Sequence, residues 1–264
     1  MGYIAGVLGR TWWQLFQLFA MPFALAMVLQ WVGDKIRRKG VTGFGEAYWY
    51  VVAPGIACHE AGHAAGCLIT GTKIYKVVPF TRKSRDTLGY VLHESRQGFW
   101  GGIADFMIAT GPVWFGCLVV VLLTKVFSGV SYVARYGDFF NTHSVPGFME
   151  YMLGVASAAS SFGLSLFSKS IWGWGFAVWL YLVFCIASEI GLSSIDLKSM
   201  RHGIVPIVVA FLLLNLIPLF GNCVSAGIFI IVPWLFKLHV LMFSAMVFNL
   251  ILLAVIRVLS RMLT

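Results

Sequence analysis

Residues 55–71 read GIACHEAGHAAGCLITG. Two histidines and one glutamate stand among Gly, Ala, Ile and Leu, in a run whose other members suit an apolar interior. The run extends back to residue 45, and a stretch of 45–71 exceeds the roughly 20 residues that a bilayer-crossing helix requires. If it crosses, the chain is a membrane protein and the three polar groups lie at bilayer depth, where ionisable side chains cost roughly 2.5–3.5 kcal/mol each on insertion scales. Whether this segment crosses the bilayer sets the class of fold, and a crossing segment needs a use for its three polar groups.

The rest of the chain agrees with the membrane reading. Of 264 residues, 59% are hydrophobic and only 11% charged, with 22 Phe and 10 Trp; soluble domains carry about 25% charged residues. Apolar segments recur at 11–33, 45–71, 101–127, 171–190, 204–221 and 224–257, the last with a break expected near Pro233. A seventh, 151–168, is rich in Ser and Ala and fits a span, an interfacial helix or a re-entrant piece. The expectation is an all-α, polytopic transmembrane bundle of about six spans forming a single domain over 1–264.

The basic residues lie between the apolar segments. The formal charge of +9 then points to anionic lipid head groups and to loop orientation, not to nucleic acid. Counting Lys and Arg favours a cytoplasmic 72–100 segment with both termini on the same side. The stretch DKIRRKG (34–40), expected to close the first span, is the misfit in that count, and it stops being one if the first or second segment does not fully cross. Within 72–100, KIYKVV and LGYVLHE alternate in hydropathy and predict a small hairpin; 128–150 reads as loop. The five cysteines, Cys58, Cys67, Cys117, Cys185 and Cys223, are odd in number and show no disulfide or zinc-ribbon spacing.

His59, Glu60 and His63 form an H-E-x-x-H pattern. On a helix, positions i and i+4 share a face, so both imidazoles can reach one metal ion while Glu60 serves as base for a water. This is the zinc-protease signature; the ion lowers the pKa of its water to about 7 and polarises the carbonyl under attack. A cation also offsets the charge that the segment carries into the bilayer, and Gly55, Gly62, Gly66 and the alanines between them permit close helix packing. A hydrolytic zinc takes three protein ligands and a water. Three residues are candidates for the third: Asp196, in SSIDLKS; Glu189, seven residues earlier; and Cys223, in GNCV. Asp196 also fits a helix cap, and Glu189 a buried partner for a basic side chain.

Four stretches carry a family likeness: CHEAGHAAGCLITGTKI, GYVLHE, IADFMIATGPVWFGCLV and YLVFCIASEIGLSSIDLKS. Over about residues 50–215 the chain resembles the site-2 protease class of intramembrane zinc metalloproteases, peptidase family M50, and more narrowly the shorter M50-like bacterial and archaeal membrane proteins. The resemblance implies an integral multi-pass protein of a prokaryotic cell membrane that binds Zn²⁺ and cleaves membrane-protein substrates within or near the bilayer. It implies a Ser-x-x-Asp element as the source of the third ligand, which here is Ser193 and Asp196. Better-known members carry Asn-x-x-Pro followed by Leu-Asp-Gly, whose Asp binds zinc; this chain has Asn215 and Pro218, but Cys223 where that Asp would fall, so Asp196 is the preferred ligand. The resemblance also suggests that the 72–100 hairpin presents an edge strand to an unwound substrate, that His93 hydrogen-bonds substrate or ligand, and that Asn215 orients a substrate carbonyl or else bonds helix to helix. Gly111-Pro112 marks a kink or a close packing point against the motif helix. The competing readings are a non-catalytic scaffold related to such proteases and a metal transporter; a transporter would more often show paired half-repeats, and none is visible.

Overall fold

The computed structural model describes residues 2–82, 88–95, 97–128, 138–140, 148–168 and 173–262, with the side chains of all these except 128, 166–168, 222–229 and 259–262. Helices dominate. α1 (Gly2–Leu15) passes through a π-helical turn, Phe16–Ala20, directly into α2 (Met21–Phe44). Pro22, which has no N–H to give to the preceding turn, stands at the seam. α3 (Ala47–Ile69) carries the H-E-x-x-H pattern; β1 (Ile74–Val78) and β2 (Tyr90–His93) follow; then come α4 (Gly98–Ser128), α5 (Phe148–Ser168), α6 (Trp174–Glu189), α7 (Ser194–Leu216) and α8 (Pro218–Met262).

Several boundaries depart from the sequence reading, each for a local reason. The stretch 34–40 does not close a helix. α2 continues through it to Gly45, whose φ of 58° and N–H bond to the Val41 carbonyl end the helix. Its charges are held in place: Gln30 donates to Asp34 at 3.1 Å, and Arg37 pairs with Asp34 at 3.6 Å and with Glu189 of α6 at 2.8 Å. Arg37 is therefore packed between helices, while Arg38 and Lys39 stay exposed on a continuing helix rather than in a loop. Residues expected as a polar connection after 190 begin α7 instead, because Ser193 and Asp196 form a capping box: the Asp196 N–H donates to Ser193 Oγ at 3.2 Å and the Ser193 N–H to Asp196 Oδ2 at 2.8 Å. α8 runs unbroken through Pro233; the break falls earlier, at Ile217, which is extended before Pro218.

Four helical stretches are long and apolar enough to cross a bilayer: Gly2–Phe44, Gly98–Phe127, Ser194–Leu216 and Ile230–Val258. They mark a membrane protein. Six spans were expected; α6, with 16 residues, is shorter than a span, and α3 and α5, diluted by polar and small residues, fall outside the set found among the described residues. Large apolar side chains face outward, as Leu68 (74% exposed) and Val126 (75%) do, which suits a lipid-facing surface.

Small residues draw the helices around α3 into near contact. A Cβ on Gly62 would lie 2.5 Å from Pro112 Cα, and one on Gly66 2.7 Å from Ile108 Cα, so α3 and α4 cross backbone to backbone, antiparallel. Gly55 lies as tightly against the Cys185 carbonyl, with α3 and α6 running parallel there. α3 ends in a Schellman cap: Gly71 (φ 63°) donates to Leu68 and Thr72 to Cys67. That cap turns the chain back into the hairpin. β1 and β2 pair antiparallel, Val77 opposite Val91 and Val78 opposite Tyr90, with an irregularity between Ile74 and Lys76. Phe80 and Leu88, at the hairpin's far end, pack on Tyr48, Val52 and Ile56 of α3.

Candidate metal centre

α3 places His59 and His63 one turn apart, and the capping box at the start of α7 holds Asp196 across from them. The Nε2 atoms of the two rings are 3.1 Å apart. His59 Nε2 lies 3.5 Å from Asp196 Oδ2, and His63 Nε2 lies 3.2 Å from Asp196 Oδ1. All three side chains are largely withdrawn from solvent.

The outer nitrogens explain the inner ones. His59 Nδ1 bonds to the Glu189 carbonyl at 2.7 Å, and His63 Nδ1 to the Ile108 carbonyl at 2.9 Å. A carbonyl only accepts, so each ring carries a proton on Nδ1, and in its neutral form each directs an Nε2 lone pair inward. Two such lone pairs at 3.1 Å, with carboxylate oxygens at 3.2 and 3.5 Å, repel one another unless a proton or a cation lies between them. In a tetrahedral zinc site with bonds of about 2.0–2.1 Å, neighbouring donor atoms stand about 3.3 Å apart. The observed separations bracket that edge length. Two imidazoles and one carboxylate also match the donor types that borderline divalent metals take, and carbonyl-tethered histidines are the usual outer arrangement of such sites. His59, His63 and Asp196 thus form a group that can hold a metal ion.

Glu60 lies on the same helix, 9% exposed, within electrostatic reach of both histidines and of Asp196. No hydrogen bond to its carboxylate occurs among the described residues. Gly89, just before β2, covers it: a Cβ there would come within 2.7 Å of Glu60 Cγ. The cluster opens into a cavity of about 320 Å³, which Glu60 lines together with Tyr90, Val91 and His93 of β2. Among the described residues β2 pairs with β1 alone, and Tyr90, Val91 and His93 bring it to the cavity wall.

The remaining candidates separate. Glu189 lines the cavity, but its carboxylate is taken by Arg37 at 2.8 Å; its contribution to the cluster is the backbone carbonyl on His59. Asn215 does not reach the site. It lies 19 residues beyond Asp196 on α7, about 28 Å along the axis, and its Nδ2 donates to Gln14 Oε1 of α1 at 2.7 Å and to the Phe211 carbonyl at 2.9 Å. This is the helix-to-helix bond that the sequence also allowed. His93 does line the cavity, with Nδ1 donating to the Glu94 carbonyl at 3.0 Å. The Cys223 side chain lies outside those described. Two contributors were not legible in the sequence: Arg37, whose signal was a cation that the orientation count could not place, and Ile108, whose signal was Pro112 four residues on.

Comparison of the chain with protein-family models, with curated proteins and with solved structures gives no match.

Proposed function

We propose that this chain is a polytopic intramembrane zinc endopeptidase of the site-2 protease (M50) type, which hydrolyses a peptide bond within or next to a transmembrane segment of a membrane-protein substrate. One observation carries the reading: three metal-type donors at tetrahedral spacing, oriented by backbone carbonyls, beside a buried glutamate with no hydrogen-bond partner among the described residues. His59 Nε2, His63 Nε2 and one oxygen of Asp196 would hold the ion. Zn²⁺ bound there supplies Lewis acidity toward the scissile carbonyl and acidifies the attacking water. Glu60 accepts that water's proton on its carboxylate and returns it to the leaving amine nitrogen. A substrate in the cavity must be extended, because a helix buries the scissile bond in its own ladder. Its exposed N–H and C=O groups need partners, and the edge of β2 that pairs with no strand among the described residues would offer them.

The test uses the full chain purified in detergent. Metal analysis should find about one Zn²⁺ per chain, and Glu60→Gln should keep it while abolishing cleavage of a co-reconstituted single-span reporter protein. Zinc retained with Glu60→Gln without effect on transport of ⁶⁵Zn²⁺ into proteoliposomes would favour the transporter; absence of stoichiometric metal in the unaltered chain removes both metal readings and leaves the scaffold.

A further inference from the structure

The carbonyl that tethers His63 belongs to a helix residue, and helix carbonyls are ordinarily engaged. In α4 the Ile108 carbonyl would accept from the N–H of residue 112. Residue 112 is proline, which has no N–H to give. The Ile108 oxygen is therefore vacated by the helix at the place where α3 comes closest, with Gly62 against Pro112 and Gly66 against Ile108. His63 Nδ1 fills the vacancy at 2.9 Å. The same logic holds on the other ring: His59 bonds to Glu189, the last residue of α6, whose carbonyl lies among the four that a helix C-terminus leaves without a donor. Both rings thus use carbonyls that the helical ladder does not claim, one released by a helix end and the other by a proline.

We infer that Pro112 is a positioning residue for the metal centre: by withholding one N–H from α4 it dedicates the Ile108 carbonyl to His63 Nδ1–H, and so keeps the ring in the tautomer whose Nε2 lone pair faces His59 and Asp196. Pro112 touches neither ion nor substrate in this role. An N–H at that position would compete for the Ile108 oxygen and free the ring to carry its proton on Nε2, where it blocks coordination. The inference rests on the metal reading of His59, His63 and Asp196 for its consequence, but the hydrogen bond joins two protein groups and can be read without a metal.

Two variants of the full chain separate the missing N–H from the ring. Pro112→Ala restores the N–H. Replacing Pro112 with lactic acid by stop-codon suppression removes the ring while still providing no N–H. Zn²⁺ affinity is measured by competition with a chromophoric chelator, and the His63 tautomer by nitrogen-15 shifts of histidine-labelled, metal-free protein. Pro112→Ala should weaken Zn²⁺ binding about 10–100-fold and move the His63 nitrogens toward tautomer averaging, whereas the lactic acid variant should match the unaltered chain in both. Equal losses in the two variants would assign the effect to ring packing and overturn the inference, as would unaltered affinity and shifts in Pro112→Ala. If the unaltered chain binds no Zn²⁺, the proposed function falls, and the nitrogen-15 comparison alone upholds or overturns the hold of Pro112 on the ring.

Discussion

Gly62→Ala should damage the metal centre without touching any of its donors. The added Cβ would stand 2.5 Å from Pro112 Cα, 2.6 Å from Pro112 N and 2.8 Å from Gly111 C, all backbone, where ordinary contact begins at 3.4 Å. No side chain can rotate away, so α3 and α4 must part by about 0.9 Å, a displacement of the overpacking kind that costs about 1–3 kcal/mol. The tether across that crossing is His63 Nδ1 to the Ile108 carbonyl, 2.9 Å long. Lengthened by the same amount to about 3.8 Å, it ceases to be a hydrogen bond, and loss of such an outer partner lowers metal affinity about 10–100-fold. Chelator competition gives the affinity and unfolding in mixed micelles the stability. Gly163→Ala in α5, with open space around it, is the control: it should leave Zn²⁺ affinity unchanged and gain up to about 1 kcal/mol of helix propensity. If Gly62→Ala binds Zn²⁺ as the unaltered chain does and unfolds no more readily, the close crossing is not what holds His63.

Three further outcomes follow from the same contacts. Asp196→Asn should cut Zn²⁺ affinity by at least about 100-fold through loss of an anionic donor, whereas Ser193→Ala, which removes the cap but leaves the carboxylate, should cost roughly 1 kcal/mol of stability with a smaller change in affinity. Arg37→Met should destabilise by several kcal/mol, up to about 3–5, because it strands the Glu189 carboxylate; adding Glu189→Gln should recover most of that loss and leave Zn²⁺ binding intact, a result that separates a structural Glu189 carboxylate from a ligating one. Asn215→Leu should lower stability by about 0.6–1.7 kcal/mol, the range for membrane helix-to-helix hydrogen bonds, and leave Zn²⁺ affinity unaltered; a drop in affinity would contradict its distance from Asp196.

Helix-period and turn signals act over a few residues, and they were legible. The i, i+4 placement of His59 and His63 needs only an α-helix, and α3 supplies it. The alternation in KIYKVV and LGYVLHE became β1 and β2. Ser193-x-x-Asp196 is a capping box in any chain that starts a helix there, and it does so here. The reach of α2 through 34–40 was less legible, because hydropathy treats Arg37 as a charge seeking water and does not see Glu189 waiting for it across 152 residues.

By itself the sequence determined a helical membrane protein with two imidazoles on one helix face and a glutamate beside them, since composition and local periodicity are properties of a segment and its solvent. The resemblance favoured Asp196, but the placement of its carboxylate beside both rings, and the pairing of Glu189 elsewhere, came from the packed helices. Asp196, Glu189 and Cys223 are chemically eligible donors, and the choice between Asp196 and Glu189 turns on packing: α7 lies against α4 where Gly203 meets Gly102, with Asp196 3.2 Å from His63, and Arg37 of α2 takes the Glu189 carboxylate. Contacts between residues more than a hundred positions apart depend on how closely backbones can approach, and that is settled when the helices pack.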